Sequence, residues 1–493
     1  MAASAQEIDA RMNSMSSANA ATLKKSYHGV AARLDRLPAS KIHTKILFII
    51  GGVVFCDCLD MNIGGPIMAQ LLTEGWSTTD KNALMQSMTM FGYLIGGLLS
   101  GVIADKFGRR KGIITTVAVF SVASILGAFS TNMEMLTALR FVMGLGLGAA
   151  FPAGYGAFSE YTPPANRGRW QAWLGLIANS ATPVATLISL IVLPLAGWRA
   201  LFVLCGVFAL IAMFFVVKFL PESPRWLAQK GRNDEAEVIV ANFEQKYYDR
   251  GIDLPEVDVA EIEKEAQKAE VKPLPWRFLF TKKMLPRTLT AAFLQFTNFT
   301  VVYTIITWTP TIFVMRGFDV TYSVGMTVVM LLGIPCGVGL MSLLIEKWDR
   351  KKQLIVGMLI SGVAGILWQM IPADQTILVM LVGFLLCMIT YYWSVIVSAV
   401  YLPEPFPTQV RISGCGFGNA FGRISGILSP FWIAFFLQSD IGTLGVFLVC
   451  LGVAVFASIW TAIFAVETRN KTLEEINAGV LDSLPDQTEQ NKA

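Results

Sequence analysis

The chain has 493 residues, of which 54% are hydrophobic and only 15% are charged, and its formal net charge is +4. Its mean hydropathy is +0.56. A water-soluble protein of this length could not expose so apolar a surface, so the composition excludes a soluble protein and indicates a polytopic membrane protein.

A polar segment, residues 1–44, precedes the first apolar run. It lacks the apolar core and the small-residue cleavage site of a secretory signal, so we predict a retained cytoplasmic tail. Its basic residues are Lys24, Lys25, Arg33, Arg36 and Lys41.

Twelve apolar segments follow the tail. The first is longer than the roughly 20 helical residues that cross a ~30 Å hydrocarbon core, so it is expected to span a membrane. The predicted spans, with boundaries good to about four residues, are 46–72, 83–104, 113–130, 135–159, 168–195, 199–219, 287–315, 321–345, 353–371, 376–402, 409–437 and 442–465.

The loops between these spans alternate in charge. Loops near Glu74, Glu134, Asp374 and Asp440 are short and poor in lysine and arginine. By the positive-inside rule, the basic loops and both termini are cytoplasmic. The basic loop residues are Lys106, Arg109, Arg110, Lys111, Arg167, Arg169, Lys347, Arg350, Lys351, Lys352 and Arg411.

A charged, helix-forming stretch between spans six and seven predicts a cytoplasmic linker with surface helices. The expected fold is therefore an all-α membrane protein with twelve transmembrane helices in two pseudo-symmetric six-helix bundles. Its predicted parts are a tail at 1–44, a bundle at 45–220, a linker at 221–285, a bundle at 286–466 and a tail at 467–493.

The two halves repeat each other. Glu160 is followed seven residues later by Arg167, and Glu404 is followed seven later by Arg411. Parallel six-helix halves around a midplane site are the architecture of alternating-access transporters. Two further echoes link 105–111 with 346–352, and Glu222 with Glu467.

The first span contains two carboxylates, Asp57 and Asp60, which lie three residues apart and so share a helix face. Charge facing lipid is costly, so that face must point to the protein interior or to a water-filled path. Because burial disfavours the ionised form, Asp60 above all could take up and release a proton near neutral pH. The alternative is a packing carboxylate bound by a neighbouring hydroxyl or amide.

Arg140 begins an apolar helix without an obvious exit to either interface. A buried guanidinium needs a carboxylate, and Asp60 is the first candidate, with Asp57 the second. The pair would act as a switch, since protonation of Asp60 would release Arg140. The alternative is an arginine whose guanidinium extends to the interface.

Polar and aromatic side chains near the midplane are candidates for a substrate site, although several could equally be core residues. Arg423 could balance the carboxylate of an anionic substrate, or could line a polar tunnel without contacting substrate. The candidates are Asn179, Gln295, Asn298, Tyr303, Trp308, Tyr391, Tyr392, Trp393, Asn419 and Arg423.

Charged residues at the cytoplasmic helix ends predict a gate that latches the outward-open state through ion pairs. The alternative is a topology signal with lipid phosphate contacts. The gate candidates are Gly101, Asp105, Gly108, Arg109, Arg110, Glu160, Arg167, Glu222, Arg225, Glu346, Arg350, Glu404, Arg411 and Glu467.

The loop GVIADKFGRRK, Gly101–Lys111, resembles the signature loop of the major facilitator superfamily, and the resemblance extends from the first span to the C-terminus. Other segments resemble the sugar porters and related metabolite:proton symporters. Span eleven is closer to the metabolite symporters, which include carriers of aromatic and other organic acids. In span seven only Gln295 stands where sugar porters typically carry two glutamines. The resembling residues are Arg140, Gly144, Gly146, Gly148, Ser159, Glu160, Arg167, Gly168, 221–227, Glu467, Thr468, 472–475, and Arg411, Gly414, Gly416, Gly418 and Arg423 in span eleven.

These patterns predict a proton-coupled secondary transporter of a small polar metabolite in the plasma membrane, the inner membrane in a bacterium. An organic acid or sugar acid is favoured, with a sugar next. The alternatives are an uncoupled facilitator and a receptor-like sensor. We expect a monomer in the bilayer, with a small-molecule substrate and protons as partners and no nucleic acid.

Enzyme activity is not expected, because the only two histidines, His28 and His43, lie in the tail and no nucleophile–base or metal spacing is visible. No cofactor or metal is predicted. The seven cysteines form no CxxC pair and lie in apolar segments, so they predict packing residues. They are at positions 56, 58, 205, 336, 387, 415 and 450.

Overall fold

The computed structural model describes residues 28–163, 167–255, 275–407 and 410–469, together with residue 476. The predictions for Lys24 and Lys25, for the acidic linker segment 260–270 and for most of the C-terminal tail lie outside the described residues. The helices are α1 His28–Asp35, α2 Lys41–Thr73, α3 Thr79–Phe107, α4 Arg109–Gly127, α5 Met133–Tyr161, α6 Arg167–Phe219, α7 Pro224–Gln229, α8 Asn233–Tyr248, α9 Leu285–Met315, α10 Val320–Leu331, α11 Gly333–Leu344, α12 Arg350–Met370, α13 Thr376–Val395, α14 Arg411–Leu437 and α15 Gly442–Phe464.

Eleven helical segments of the described chain are long and apolar enough to cross a membrane. One of them, α6, contains two spans, because Gly197 has a φ of 72° and breaks its 53 residues into two helices. A residue with a Cβ would be strained at that φ, so glycine suits the turn. α10 and α11 together form one span, Val320–Leu344, and the span that contains α13 continues to Tyr401. The twelve-helix prediction is therefore confirmed, with starts and ends displaced by five residues or fewer.

Polar caps begin several of the helices at the positions that the sequence favours. Ser40, Thr78 and Asn132 each accept a hydrogen bond from a backbone N–H in the first turn of α2, α3 and α5. Such caps satisfy donors that the helix itself leaves unpaired.

Glycines allow α3 and α5 to touch along their backbones. A Cβ on Gly92 would overlap the carbonyl oxygen of Phe141, and one on Gly148 would overlap that of Tyr93. Small residues of this kind let membrane helices approach closely. The contact places the N-terminal part of α5, which carries Arg140, deep inside the first half.

The two halves meet on the extracellular side of the cavity between them. Ser87 donates a hydrogen bond to the Ile427 carbonyl oxygen at 2.6 Å, and Gln438 donates one to Asp80 at 2.8 Å. A Cβ on Gly65 would press against the Thr307 backbone. These contacts close the extracellular side of the cavity.

A small cytoplasmic layer covers the first half. Arg33 of α1 donates to Glu244 of α8 at 3.0 Å, and Arg36 donates to the same carboxylate at 2.5 Å. Burial opposes ionisation of Glu244, but the hydrogen bonds from both arginines outweigh it and hold the pKa of that carboxyl below its usual value. The N-terminal segment is thus fastened to the linker.

Candidate functional site

Asp60 and Arg140 form an ion pair in the interior of the first half. Both side chains have no exposed surface, and Arg140 Nη1 donates to Asp60 Oδ1 at 3.0 Å. The carboxylate comes from α2 and the guanidinium from α5. Each compensates a charge that would be expensive alone at this depth.

Ser124 of α4 completes the surroundings of Asp60. Its hydroxyl lies 2.8 Å from Asp60 Oδ2 and 3.1 Å from the Phe202 carbonyl oxygen. A hydroxyl has one proton to donate, so it can serve only one of these acceptors at a time. Ser124 was not predicted, because several apolar spans contain serines and nothing in the sequence distinguishes this one.

Apart from its bond to Asp60, the guanidinium of Arg140 has few polar contacts in the described structure. Its Nε and Nη2 have no hydrogen-bond partner in the described part of the chain, and its centre lies 5.6 Å from the Phe202 ring centroid. A Cβ on Gly64 would lie 2.8 Å from Nη2 and 3.6 Å from Gln86 Oε1. Gly64 therefore provides the space in which the guanidinium lies against α2.

A separate cavity of about 310 Å³ lies between the two halves. It combines one carboxylate, one guanidinium, amides, hydroxyls and aromatic rings, which is the composition expected of a site for a small polar ligand. It is lined by Asp57, Cys58, Met61, Asn62, Tyr93, Phe151, Thr182, Asn298, Phe299, Val302, Tyr303, Ile306, Tyr391, Ser398, Asn419 and Arg423.

Arg423 of α14 is the cation of this cavity. Its guanidinium centre lies 4.1 Å from the Tyr93 ring centroid and 5.8 Å from that of Phe299. Asp57 of α2, in the other half, is 1% exposed, and its Oδ1 has no hydrogen-bond partner among the described residues. Arg423 is near enough to attract the charge of Asp57.

An amide network fixes one wall of the cavity. Asn298 donates to Ser398 Oγ at 2.9 Å and to Gln295 Oε1 at 3.3 Å, and Gln295 donates to Asn419 Oδ1 at 3.1 Å. Gln295 itself lies behind the lining residues. Asn298 and Asn419 are thereby held with fixed orientations.

The structure separates the predicted substrate residues into two groups. Asn298, Tyr303, Tyr391, Asn419 and Arg423 line the cavity. The other five lie elsewhere. Gln295 lies behind the lining residues, and Trp308 and Trp393 lie in the apolar core. Tyr392 donates to Gln353, and Asn179 is exposed and donates to the Gly175 carbonyl of its own helix. The lining residues not named from the sequence include Asn62, Tyr93, Phe151, Thr182, Phe299 and Ser398.

The gate candidates of the first half form one cluster. Arg109 donates to Glu160 at 2.8 Å and to Asp105 at 2.5 Å, while Glu222 accepts the Arg110 backbone N–H at 3.0 Å. A Cβ on Gly108, whose φ is 104°, would collide with Glu222. Two other candidates lie here as well. Arg225 donates to Asp35 and to the Glu160 carbonyl, and Arg167 donates to the Thr162 carbonyl. A third candidate, Gly101, is exposed.

The second half repeats this cluster. Arg350 pairs with Glu404 and, at 3.5 Å, with Glu346. Glu467 accepts the Arg350 backbone N–H at 3.1 Å, as Glu222 does for Arg110. Arg411 donates to the Phe406 carbonyl at 3.4 Å. Because these contacts lie within one half, they do not test a latch between conformational states, and the latch for the outward-open state stays a prediction.

With this geometry in place, comparison with known proteins identifies the class. Residues 15–479 match the family described as "Sugar (and other) transporter", and the chain belongs to this family of the major facilitator superfamily. It is a metabolite transporter and an integral membrane protein, not an enzyme.

Two curated relatives and one solved structure show where the chain lies within the family. It is 35% identical to the inner membrane metabolite transport protein YdjE of Escherichia coli over 92% of this chain and 99% of that protein. It is 30% identical to the niacin transporter NiaP of Acinetobacter baylyi, over 91% and 99% of the two chains. The partially occluded inward-open structure of the xylose transporter XylE from E. coli matches with a TM-score of 0.69 and 17% identity, covering 88% of this chain and 100% of that one.

Proposed function

We propose that this transporter is a proton symporter of a small organic acid, with an aromatic or otherwise flat body favoured. The observation that carries the proposal is Arg423, a cation in a cavity walled by aromatic rings. A guanidinium binds a carboxylate through charge-assisted hydrogen bonds, and ring faces suit a flat apolar body. Niacin, named for one relative, has this chemistry.

The Asp60–Arg140 pair is the proposed proton site. Ionised Asp60 holds Arg140, and protonation removes the charge that compensates the guanidinium. The Ser124 hydroxyl can then donate to the Phe202 carbonyl, while its oxygen accepts a hydrogen bond from the protonated carboxyl of Asp60. Protonation is thus accommodated without an unpaired carboxyl, while Arg140 becomes available to a different partner.

A facilitator without coupling is the second candidate, and one observation favours it. Both carboxylate oxygens of Asp60 accept a hydrogen bond within the same half, as a purely structural carboxylate would. Transport measurements distinguish the two.

The test of coupling compares two assays on Asp60→Asn in liposomes. Asparagine imitates the protonated acid, so uptake driven by a pH gradient should be lost while exchange of substrate across the membrane continues. Asp374→Asn, which alters an exposed loop aspartate, is the matched control and should behave as wild type. Accumulation driven by the pH gradient in Asp60→Asn would show that the proton site lies elsewhere.

The test of substrate class uses a matched pair of ligands. Nicotinate and nicotinamide differ in carboxylate against carboxamide, and stabilisation of the purified protein against heating reports binding of either. Arg423→Gln should weaken carboxylate binding by roughly 1.5 to 3 kcal/mol, about ten- to a hundredfold. Asp57→Asn should strengthen it, because the competing carboxylate is neutralised. If, in a wider panel of ligands, only neutral sugars bind, Arg423 is not a substrate anchor.

A further inference from the structure

A second cavity, of about 450 Å³, lies at the cytoplasmic boundary of the first half. It is bounded by the start of α2, the end of α6 and the linker helix α8. Four of its lining residues are cations: Lys45, Arg110, Lys218 and Lys246. No carboxylate is among the lining residues that the structure describes, so this lining concentrates positive charge.

The ammonium groups of Lys45, Lys218 and Lys246 lie near aromatic rings and not near carboxylates of the described chain. Lys45 Nζ lies 4.4 Å and Lys218 Nζ 5.4 Å from the Phe219 ring centroid, and Lys246 Nζ lies 5.7 Å from that of Phe243. None of the three forms an ion pair with a residue that the structure describes. Three uncompensated ammonium groups around one cavity favour an anionic ligand.

Arg110 adds a buried donor to the same cavity. One of its terminal nitrogens donates to the Val217 carbonyl oxygen, but its Nε is buried without a hydrogen-bond partner in the described chain. The neighbouring carboxylate of Glu222 is occupied by the backbone N–H groups of Arg110 and Ser223. The arginine side chain therefore retains a donor for a ligand oxygen.

The surface beside the cavity is apolar and exposed. Phe48, one helical turn beyond Lys45, is 66% exposed, and Phe214, one turn before Lys218, is 55% exposed. In a membrane-spanning helix such side chains face acyl chains. A ligand with a charged head and hydrocarbon chains could place its head among the lysines and its chains along α2 and α6.

We propose that this cavity binds the phosphate headgroup of an anionic phospholipid from the cytoplasmic leaflet. Basic pockets between membrane helices on this side suit such headgroups. The phosphate would lie beside Arg110, which is the second residue of α4 and one of the predicted gate residues, so lipid binding and the gate share one residue. A soluble phosphate shares the chemistry of the headgroup but lacks hydrocarbon chains that would pack against the exposed Phe48 and Phe214.

The experiment measures lipid binding to the purified, delipidated full-length protein. Native mass spectrometry counts bound lipid, and thermal unfolding measures stabilisation, with dioleoyl phosphatidylglycerol against dioleoyl phosphatidylcholine. Glycerol 1-phosphate and inorganic phosphate form the soluble arm. The wild type should bind and be stabilised by phosphatidylglycerol only.

The variant is the triple substitution Lys45→Gln, Lys218→Gln and Lys246→Gln. A lysine near an anionic lipid surface contributes roughly fivefold in affinity, so removing three should weaken phosphatidylglycerol binding on the order of a hundredfold. The matched control replaces three exposed lysines outside the cavity with glutamine: Lys230, Lys282 and Lys347. It removes the same charge and should bind as the wild type does.

A second variant tests the site without removing charge. Asn242 lines the cavity from the exposed side of α8, so Asn242→Trp should fill it and abolish binding even where the lysine variant fails to fold. Retained binding in Asn242→Trp, or equal losses in the lysine variant and its control, would overturn the proposal. Equal stabilisation by glycerol 1-phosphate would assign the cavity to a soluble anion.

Discussion

The substitution Asp60→Asn tests the contribution of the negative charge of Asp60 separately from the contribution of its hydrogen bonds. The asparagine carbonyl can still accept from Arg140 Nη1, which lies 3.0 Å from Asp60 Oδ1. Its amide nitrogen can donate to Ser124, whose proton can turn to the Phe202 carbonyl 3.1 Å away. The substitution therefore removes one negative charge and leaves the hydrogen-bond geometry in place.

The expected cost follows from the isolation of Arg140. Its side chain is fully buried and its Nε and Nη2 find no partner in the described structure, so nothing else there balances the charge. Leaving one member of a buried ion pair unpaired costs about 3–5 kcal/mol. An unfolding entropy of about 2.1 cal/mol/K per residue corresponds to about 1 kcal/mol/K for the whole chain. The melting temperature should therefore fall by about 3–5 °C.

Thermal unfolding of the purified protein in a single detergent measures this decrease. The double variant Asp60→Asn/Arg140→Gln removes both charges and should recover most of the lost stability, while Asp374→Asn serves as the single-charge control. If Asp60→Asn melts with the wild type, or the double variant melts no higher than Asp60→Asn, charge balance does not hold this pair together.

Three further predictions follow from contacts elsewhere. Gly64→Ala should destabilise the protein by about 1–3 kcal/mol in thermal unfolding, because its Cβ presses on the buried guanidinium, whereas Gly52→Ala meets no atom within 4 Å and should not. Arg109→Ala should slow transport in liposomes more than it weakens substrate binding in detergent, since it alters a conformational equilibrium; an undiminished rate would contradict this. Glu244, whose pKa is lowered in the folded protein, should fasten α1 above its unfolded pKa of about 4.3 and release it as pH falls through the folded value. Limited proteolysis should show this release of the N-terminal segment at low pH in the wild type but not in Glu244→Gln. The same pH dependence of cleavage in Glu244→Gln would refute the role of Glu244.

The sequence predicted features that depend on the free-energy cost of burying a single charged residue or on the length of a single span. Asp60 and Arg140 could be named because each would be expensive alone in an apolar helix, so a pair was the simplest solution. The twelve spans followed from length and apolar composition, and the break between spans five and six lay between 195 and 199, around Gly197. These inferences require no knowledge of neighbouring helices.

Features that depend on which helices meet were harder to predict. Helical periodicity shows that residues share a face but not what that face contacts, so Trp308 and Trp393 were as plausible as Tyr93, which lines the cavity. Glu160 and Arg167 were both named as gate residues, but the sequence did not show their partners: Glu160 contacts Arg109, and Arg167 donates to the Thr162 carbonyl. Contacts between the halves also depend on the conformational state, which the sequence does not specify.

The two carboxylates of α2 lie in different surroundings. Asp60 meets a guanidinium of its own half, so its ion pair can persist while the halves move and can respond to protonation alone. Asp57 faces the cavity and the Arg423 of the other half, so its environment must change as the halves separate. Because the two aspartates lie three residues apart on one rigid helix, any shift of α2 that follows the release of Arg140 also moves Asp57 relative to Arg423. One helix thus connects the proposed proton site to the proposed substrate site, and the coupling needs no longer path.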